Sequence, residues 1–351
     1  MSKNGEKYEF LDLLKFISII FVIVYHSRQL TCDLTSLNDI FVYFSMSIFS
    51  TSVPLFFFIN GALLLNKDLN IKKHIKKILK ISILTLIWSI LTLLILELVK
   101  GGLSQKEFIH SIFKFKIRWN NHLWFMVSLL YIYIFFPIIK YIYDKFPKVT
   151  YGLFLLLFIF VFGKVFYVQI INVYNYFNDK NTIIYNVDKK LFPFVYFILG
   201  GILFKYRNIL SNKFSKKSNL FLYLFILMNM IISTCYEVMI SISKNTYIDI
   251  CWDGLVTLTT FSSCICLFIL SLKYKGTNKF SKTITFIGRN TIGLYFIHWI
   301  YIRIAEVIFR NINFVGNELI NLLLSPIIII ISVLTVKIMK KIPILNNLIS
   351  T

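Results

Sequence analysis

The chain has 351 residues, of which 57% are hydrophobic and 15% charged, and its mean hydropathy is +0.73. These values exclude an ordinary soluble domain, because too few charged residues remain to cover the apolar surface. The formal net charge of +22 would suit a nucleic-acid partner, but the basic residues are distributed as in a membrane protein. The composition therefore predicts a polytopic membrane protein that does not bind nucleic acid.

Hydropathy predicts ten membrane-spanning helices, and they define an all-α fold. The spans are 10–30, 41–65, 81–99, 122–139, 150–171, 190–204, 219–239, 251–272, 291–311 and 318–336. The 190–204 stretch is the shortest, since a span needs about 20 residues. We expect a bundle of about ten transmembrane helices that forms a single domain over residues 1–351, without an additional soluble domain.

The basic residues alternate with the predicted loops. With the N-terminus inside, the cytoplasmic segments hold 24 of the 38 Lys and Arg residues, which predicts that both termini are cytoplasmic. The 100–121 loop is the exception, because it places five basic residues outside. It is either a solvated loop or a surface or re-entrant segment that meets lipid head groups or an anionic acceptor.

The first predicted helix carries three ionisable residues. An α-helix advances about 100° per residue, so Lys15 and His26, eleven residues apart, share one face about 16 Å apart, and Asp12 falls on the same face. Asp12 and Lys15 are close enough to pair. Each residue also has a purely structural explanation. Asp12 would stabilise the start of the helix, Lys15 would extend its ammonium to the membrane surface, and His26 would hydrogen bond to a neighbouring helix. The functional hypothesis makes His26 a general base and Lys15 the partner of an anion.

Two further segments interrupt apolar spans with polar residues. In VPLFFFINGALLL, Asn60 and Gly61 lie mid-span, where they serve either helix packing or a site. In NNHLWFMV, His122 and Trp124 lie at a predicted outer interface. They form either part of an aromatic belt or a place where a sugar stacks and hydrogen bonds.

The segment IGRNTIGLYFIH opens the ninth predicted span. Arg289 and Asn290 lie near its start, and Tyr295 and His298 lie inside. Arg289 is either another positive-inside charge or a ligand for a phosphate group arriving from the cytosol. A nearby intramembrane acid, Glu306, has no partner evident from the sequence.

Some chemistries lack their usual sequence signatures. The chain has no Walker lysine loop, no HExxH and no G-x-S-x-G elbow, so ATP hydrolysis, zinc proteolysis and serine hydrolysis are unsupported. Its five cysteines do not have metal-ligand spacing. We expect no bound metal and no tightly bound cofactor.

Taken in order, the four segments resemble the acyltransferase-3 family of bacterial integral-membrane acyltransferases. The family's first helix has a basic residue, ten intervening residues and a His, and Lys15 here replaces the commoner Arg. Its FFFLSG-like segment is similar to Phe56–Gly61, with Asn60 in place of Ser, and its HLWFL segment is similar to His122–Met126. Its late G-N-S-x-x-x-Y-x-x-H segment is similar to Gly288–His298.

The resemblance implies an acyltransferase in the bacterial plasma membrane, with acetyl-CoA or another acyl-CoA as cytoplasmic co-substrate and a glycan hydroxyl as outer acceptor. His26 would act as a general base or be transiently acylated. Because some relatives carry a periplasmic hydrolase-like domain that this chain lacks, a separate extracytoplasmic partner is a further expectation. The catalytic assignments are His26 and Lys15, and the substrate-binding assignments are Asp12, Asn60, His122, Trp124, Arg289, Asn290, Tyr295 and His298.

Two other functions stay open at the level of sequence. Ten helices also suit an exporter or transporter of polysaccharide or a small solute, which would move its substrate without an acyl donor. A membrane-bound sensor or scaffold is a weaker alternative. It would tolerate alanine at Lys15, His26 and Arg289 together.

Overall fold

The computed structural model describes residues 8–27, 37–114, 119–178, 189–214, 216–244, 249–277, 279–308 and 318–350. Within these ranges the chain forms helices and no β-strand, which confirms the predicted all-α fold. The α-helices are α1 (Glu9–Ser27), α2 (Leu37–Ser47), α3 (Ser52–Leu65), α4 (Ile71–Lys100), α5 (Gln105–Lys114), α6 (Trp124–Lys145), α7 (Pro147–Phe158), α8 (Lys164–Phe177), α9 (Phe192–Lys205), α10 (Arg207–Lys213), α11 (Lys216–Lys244), α12 (Ile250–Gly254), α13 (Leu258–Ser271), α14 (Lys279–Arg289), α15 (Thr291–Ile308), α16 (Glu318–Lys341) and α17 (Pro343–Ile349).

Eight helical spans in the described ranges are long and apolar enough to cross a membrane. They are Glu9–Ser27, Ile40–Leu65, Ile71–Lys100, Asn121–Lys145, Pro147–Phe177, Ser218–Lys244, Thr291–Ile308 and Leu323–Lys341. The two other predicted spans correspond to α9 and α13, which are apolar but only 14 residues long. At 1.5 Å per residue each covers about 21 Å, less than the roughly 30 Å of a hydrocarbon core. The shortness predicted for 190–204 is therefore confirmed.

The predicted boundary of the third span was wrong by about three turns. The span was placed at 81–99, but α4 begins at Ile71, where Asn70 accepts a hydrogen bond from the backbone N–H of Lys73 (3.0 Å). Hydropathy missed this start because the first turns of α4 are rich in lysine. The longer helix places Lys77 against the bundle, where its ammonium lies 4.8 Å from the centre of the Tyr133 ring.

The basic 100–121 loop contains the helix α5 on the outside of the bundle. In α5, Ile109 and Phe113 are 61% and 67% exposed, and the opposite side packs on the cluster formed by Leu93, Leu96 and Trp119. Two of the five basic residues, Lys116 and Arg118, lie outside the described residues. Lys100, Lys106 and Lys114 lie within them and are exposed.

Helix α1 lies at the centre of the bundle. It packs against α3, α13, α14, α15 and α16, and Leu11, Leu14 and Ile19 on it are almost completely buried. We call the end of the bundle at which α1 begins the Lys15 end, and the opposite end the His26 end. The ionisable face predicted for α1 therefore points into protein.

Helices α3 and α9 approach each other closely at two glycines. A Cβ atom at Gly61 would lie 1.7 Å from the Phe197 carbonyl oxygen, and one at Gly200 would lie 1.9 Å from the Phe58 carbonyl oxygen. Small residues at such crossings are typical of membrane helix pairs. This contact fixes the position of Asn60, which neighbours Gly61.

We expect Gly200→Ala to lower the free energy of unfolding by about 3 kcal/mol or more, because a methyl group against backbone forces the two helices apart. The measurement is the midpoint of thermal unfolding in detergent. Gly152→Ala is the matched control, since nothing lies within 4 Å of a Cβ at that helical position. Its midpoint should stay constant or rise slightly. Equal midpoints for Gly200→Ala and the wild type would contradict this account of the α3–α9 contact.

Candidate functional site

Asp12 connects α1 to Arg289, at the end of α14. Its carboxylate lies 3.6 Å from the Lys15 ammonium and accepts a hydrogen bond from Nε of Arg289 at 2.8 Å. The second contact depends on Gly288, where a Cβ atom would lie only 2.2 Å from the Asp12 carbonyl oxygen. The buried Asp12 carboxylate therefore pairs with two cations. The pair with Lys15 is the one that the spacing of the two residues predicted.

A cavity of about 280 Å³ opens beside this pair at the Lys15 end. Four basic side chains line it: Lys15, Lys77, Arg289 and Lys340. Asp12 balances only part of this charge. We call this space the cationic cavity, and its charge suits an anionic ligand such as a phosphate.

The two asparagines predicted to bind substrate both line the cationic cavity, and both have protein partners. Asn60 donates to the Phe56 carbonyl and accepts from the Tyr133 hydroxyl, each at 2.8 Å. Asn290 donates to the Phe286 carbonyl at 2.6 Å and accepts from the Lys340 ammonium at 2.8 Å. They shape the wall and position Tyr133 and Lys340.

Three histidines meet around one tryptophan toward the His26 end. The ring of Trp299 lies 4.7 Å from that of His26 in an edge-to-face contact and 4.8 Å from that of His122 in a stacked contact. The rings of His26 and His298 are 5.8 Å apart. We call His26, His122, His298 and Trp299 the histidine cluster. Sequence reasoning predicted the three histidines but not the tryptophan between them.

Helix α15 holds the turn that carries His122. The hydroxyl of Tyr295 donates to the His122 carbonyl at 2.5 Å, and Nε1 of Trp299 donates to the Trp119 carbonyl at 2.8 Å. Because Tyr295 and Trp299 are four residues apart, they lie on one face of α15. Two hydrogen bonds from one helix face thus fix the position of His122.

Tyr295 also connects the histidine cluster with the cationic cavity. Its side chain lines the cavity and is 7% exposed, and its ring lies 5.5 Å from that of His122 and 6.0 Å from that of His298. Two of the imidazole nitrogens, Nδ1 of His122 and Nε2 of His298, are buried without a hydrogen-bond partner in the described part of the chain. Unpartnered buried polar atoms are rare in native proteins and mark places where a ligand can bind.

Arg303 and Glu306 support the histidine cluster, and sequence reasoning missed the first and left the second unassigned. The Arg303 guanidinium lies 4.2 Å from the centre of the Trp299 ring and donates to Glu306 at 2.6 Å. Arg303 is 4% exposed. A signal existed in the sequence, because an arginine inside an apolar span is costly and has a local reason to be there.

Trp124 lies beside the cluster rather than in it. Its indole makes an edge-to-face contact at 4.9 Å with Trp252 of α12, which is 40% exposed. Lys189 lies 5.2 Å from the centre of the Trp252 ring and pairs with Asp253 at 2.5 Å. The hydroxyl of Tyr25, next to His26, donates to Asp249. These residues form a polar and aromatic rim at the His26 end.

The predicted site residues thus fall into two connected groups. Lys15, Asn60, Arg289 and Asn290 line the cationic cavity, and Asp12 pairs with two of them. His26, His122 and His298 belong to the histidine cluster, Tyr295 contacts both groups, and Trp124 lies outside them in the rim. Lys77 and Lys340 are additional cavity residues that sequence reasoning did not select. In the described residues no group of His, Cys, Asp and Glu has the arrangement of a metal site.

We compared the chain with protein families, curated proteins and solved structures. No curated protein and no solved structure matches the chain significantly. The model of the acyltransferase-3 family, described as an acyltransferase domain, matches residues 8–338, which is nearly the whole chain. The match includes the entire histidine cluster and most of the lining of the cationic cavity, but it ends before Lys340. The chain belongs to the acyltransferase-3 family and is a membrane acyltransferase.

Proposed function

We propose that the protein is an O-acyltransferase that moves the acyl group of an acyl-CoA, most simply the acetyl group of acetyl-CoA, to a hydroxyl of a cell-surface glycan or lipid-linked sugar. One observation carries this proposal. The cationic cavity, with four basic side chains and one paired carboxylate, is connected through Tyr295 to the histidine cluster. An anionic donor and a proton-accepting ring can therefore meet inside the bundle.

The cavity supports a CoA thioester through its charge and its size. CoA carries three phosphate groups on its nucleotide part and a long, nearly uncharged arm that ends in the thioester. A volume of about 280 Å³ is too small for the whole molecule but suits the arm. In our proposal the phosphates stay at the mouth beside Arg289 and Lys340, while the arm extends toward Tyr295. The distribution of basic residues favours a cytoplasmic Lys15 end. The membrane in our proposal is a bacterial plasma membrane.

The rim supports a hydroxyl-rich acceptor at the other end. An exposed indole such as Trp252 offers a flat apolar face to a sugar ring, and the neighbouring Asp253 and Lys189 offer hydrogen-bond partners for hydroxyls. Trp124 links this rim by sequence to His122, two residues earlier. The acceptor would thus approach from the His26 end and meet the thioester at the histidine cluster.

The reaction has two versions that use His26 differently. In direct transfer, the acceptor oxygen bonds to the thioester carbon, its proton goes to His26, and the carbon–sulfur bond breaks to release CoA thiolate. In the relay, a nitrogen of His26 first takes the acyl group and releases the thiolate, and the acceptor oxygen then attacks the acyl-histidine. In both versions the released thiolate finally takes up the proton that the hydroxyl has lost.

We expect His26→Ala to reduce acyl transfer by at least about 10²-fold, since a positioned acid–base group contributes about 10²- to 10⁴-fold. The measurement is transfer of label from acetyl-CoA to a glycan in membranes that contain the protein, and the unfolding midpoint checks folding. His110→Ala, on the exposed side of α5, is the control that should keep full activity. Full activity of a folded His26→Ala variant would refute the role of His26, and wild-type membranes that move glycan without modifying it would favour the exporter alternative.

A pair of neighbouring lysines tests the donor site. Lys340 lines the cationic cavity and contacts Asn290, whereas Lys341 is the exposed next residue of α16. We expect Lys340→Gln to raise the KM for the acyl donor by about two- to fivefold, because an exposed charge interaction contributes about 1 kcal/mol or less. Lys341→Gln removes the same charge and should leave KM unchanged. Equal KM values for the two variants would show that net charge, rather than the cavity, attracts the donor.

A further inference from the structure

His298 is completely buried on α15, and its two ring nitrogens have different surroundings. Nδ1 lies 2.9 Å from the carbonyl oxygen of Leu294, one helical turn earlier. A carbonyl oxygen only accepts hydrogen bonds, so Nδ1 must carry the hydrogen. In a neutral imidazole the other nitrogen, Nε2, then has a lone pair and no hydrogen. The helix backbone therefore fixes His298 in the tautomer whose Nε2 is ready to accept a proton.

This lone pair is left without a hydrogen-bond donor in the described part of the chain. Nε2 of His298 is buried and lacks a hydrogen-bond partner among the described residues. Leaving a buried acceptor unpaired costs about 1–3 kcal/mol, so a folded protein gains stability when a donor occupies that position. The missing partner is a hydrogen-bond donor, and a hydroxyl group is the donor that the proposed reaction brings to this place.

The surroundings of Nε2 allow one hydroxyl to reach two histidines. The ring centres of His298 and His26 are 5.8 Å apart with an angle of 30° between the planes. A hydroxyl oxygen about 2.8 Å from a nitrogen of each ring serves ring centres up to about 8 Å apart. Tyr295, with its ring 6.0 Å from that of His298, places the same region beside the cationic cavity. His298 is therefore close to both proposed substrates.

We propose that Nε2 of His298 accepts the proton of the acceptor hydroxyl during acyl transfer. This inference rests on the proposed function and, for its direct version, assigns the role of base to His298 in place of His26. As the O–H bond breaks, the acceptor oxygen bonds to the acyl carbon, and that carbon releases its bond to the CoA sulfur or, in the relay, to a nitrogen of His26. The proton then passes from Nε2 to the released thiolate. His26 is thereby left to orient or carry the acyl group.

The test is His298→Asn, because an asparagine amide near the Nδ1 position still donates to the Leu294 carbonyl while Nε2 is lost. We expect kcat to fall by about 10²-fold or more. The KM for acetyl-CoA and the unfolding midpoint should stay near their wild-type values. A purely structural histidine predicts the opposite, since the retained hydrogen bond would preserve activity. His298→Gln serves as the second variant if His298→Asn does not fold, and its kcat should fall to a similar degree.

His74→Asn is the matched control. His74 is also buried, but its Nε2 is already bonded to the Tyr133 carbonyl at 2.7 Å. This variant should lose stability and retain kcat. A folded His298→Asn protein with kcat within about twofold of the wild type would overturn the role of His298 alone. A wild-type protein that transfers no acyl group would instead overturn the proposed function on which the inference rests.

Discussion

Two buried hydrogen bonds hold the backbone around His122 against α15, and they determine where the histidine rings meet. Tyr295 and Trp299 each hold one backbone carbonyl of the segment 119–122, and they place the same helix face against the rings of His26 and His122. Because both are buried, neither hydrogen bond competes with water, and each is expensive to break. α15 thereby assembles residues from three distant parts of the chain into one cluster.

Charge is distributed along the bundle in a way that agrees with this assembly. Burying ionisable groups in a membrane is costly, and the protein offsets the cost by pairing Asp12 with Lys15 and Arg289, and Arg303 with Glu306. Near the histidines the described charges Arg303 and Glu306 form a pair, whereas at the Lys15 end Lys77 and Lys340 add cations to the cavity. The excess positive charge at the Lys15 end is therefore available for a ligand.

Sequence patterns predicted the helical fold and the face shared by Lys15 and His26, because helix periodicity and hydropathy are local properties. The same patterns missed the start of α4 at Ile71, because the lysines in its first turns lower the hydropathy there. Asn70 nevertheless caps this helix. They also missed Trp299 and Lys340, because the roles of these residues depend on long-range contacts. Trp299 contacts two histidines, and Lys340 contacts Asn290. The spacing of residues along one helix does not predict which residues of other helices they contact.

In our proposal the cationic cavity and the histidine cluster form one reaction path for acyl transfer. The most direct measurement is a cryo-electron microscopy structure of the protein with a non-hydrolysable acyl-CoA analogue. The account predicts phosphates beside Arg289 and Lys340, the arm in the cavity between Asn60 and Tyr295, and the acyl group within reach of His26 and His298. An analogue bound with its acyl group away from the histidines, or outside the cavity, would contradict it.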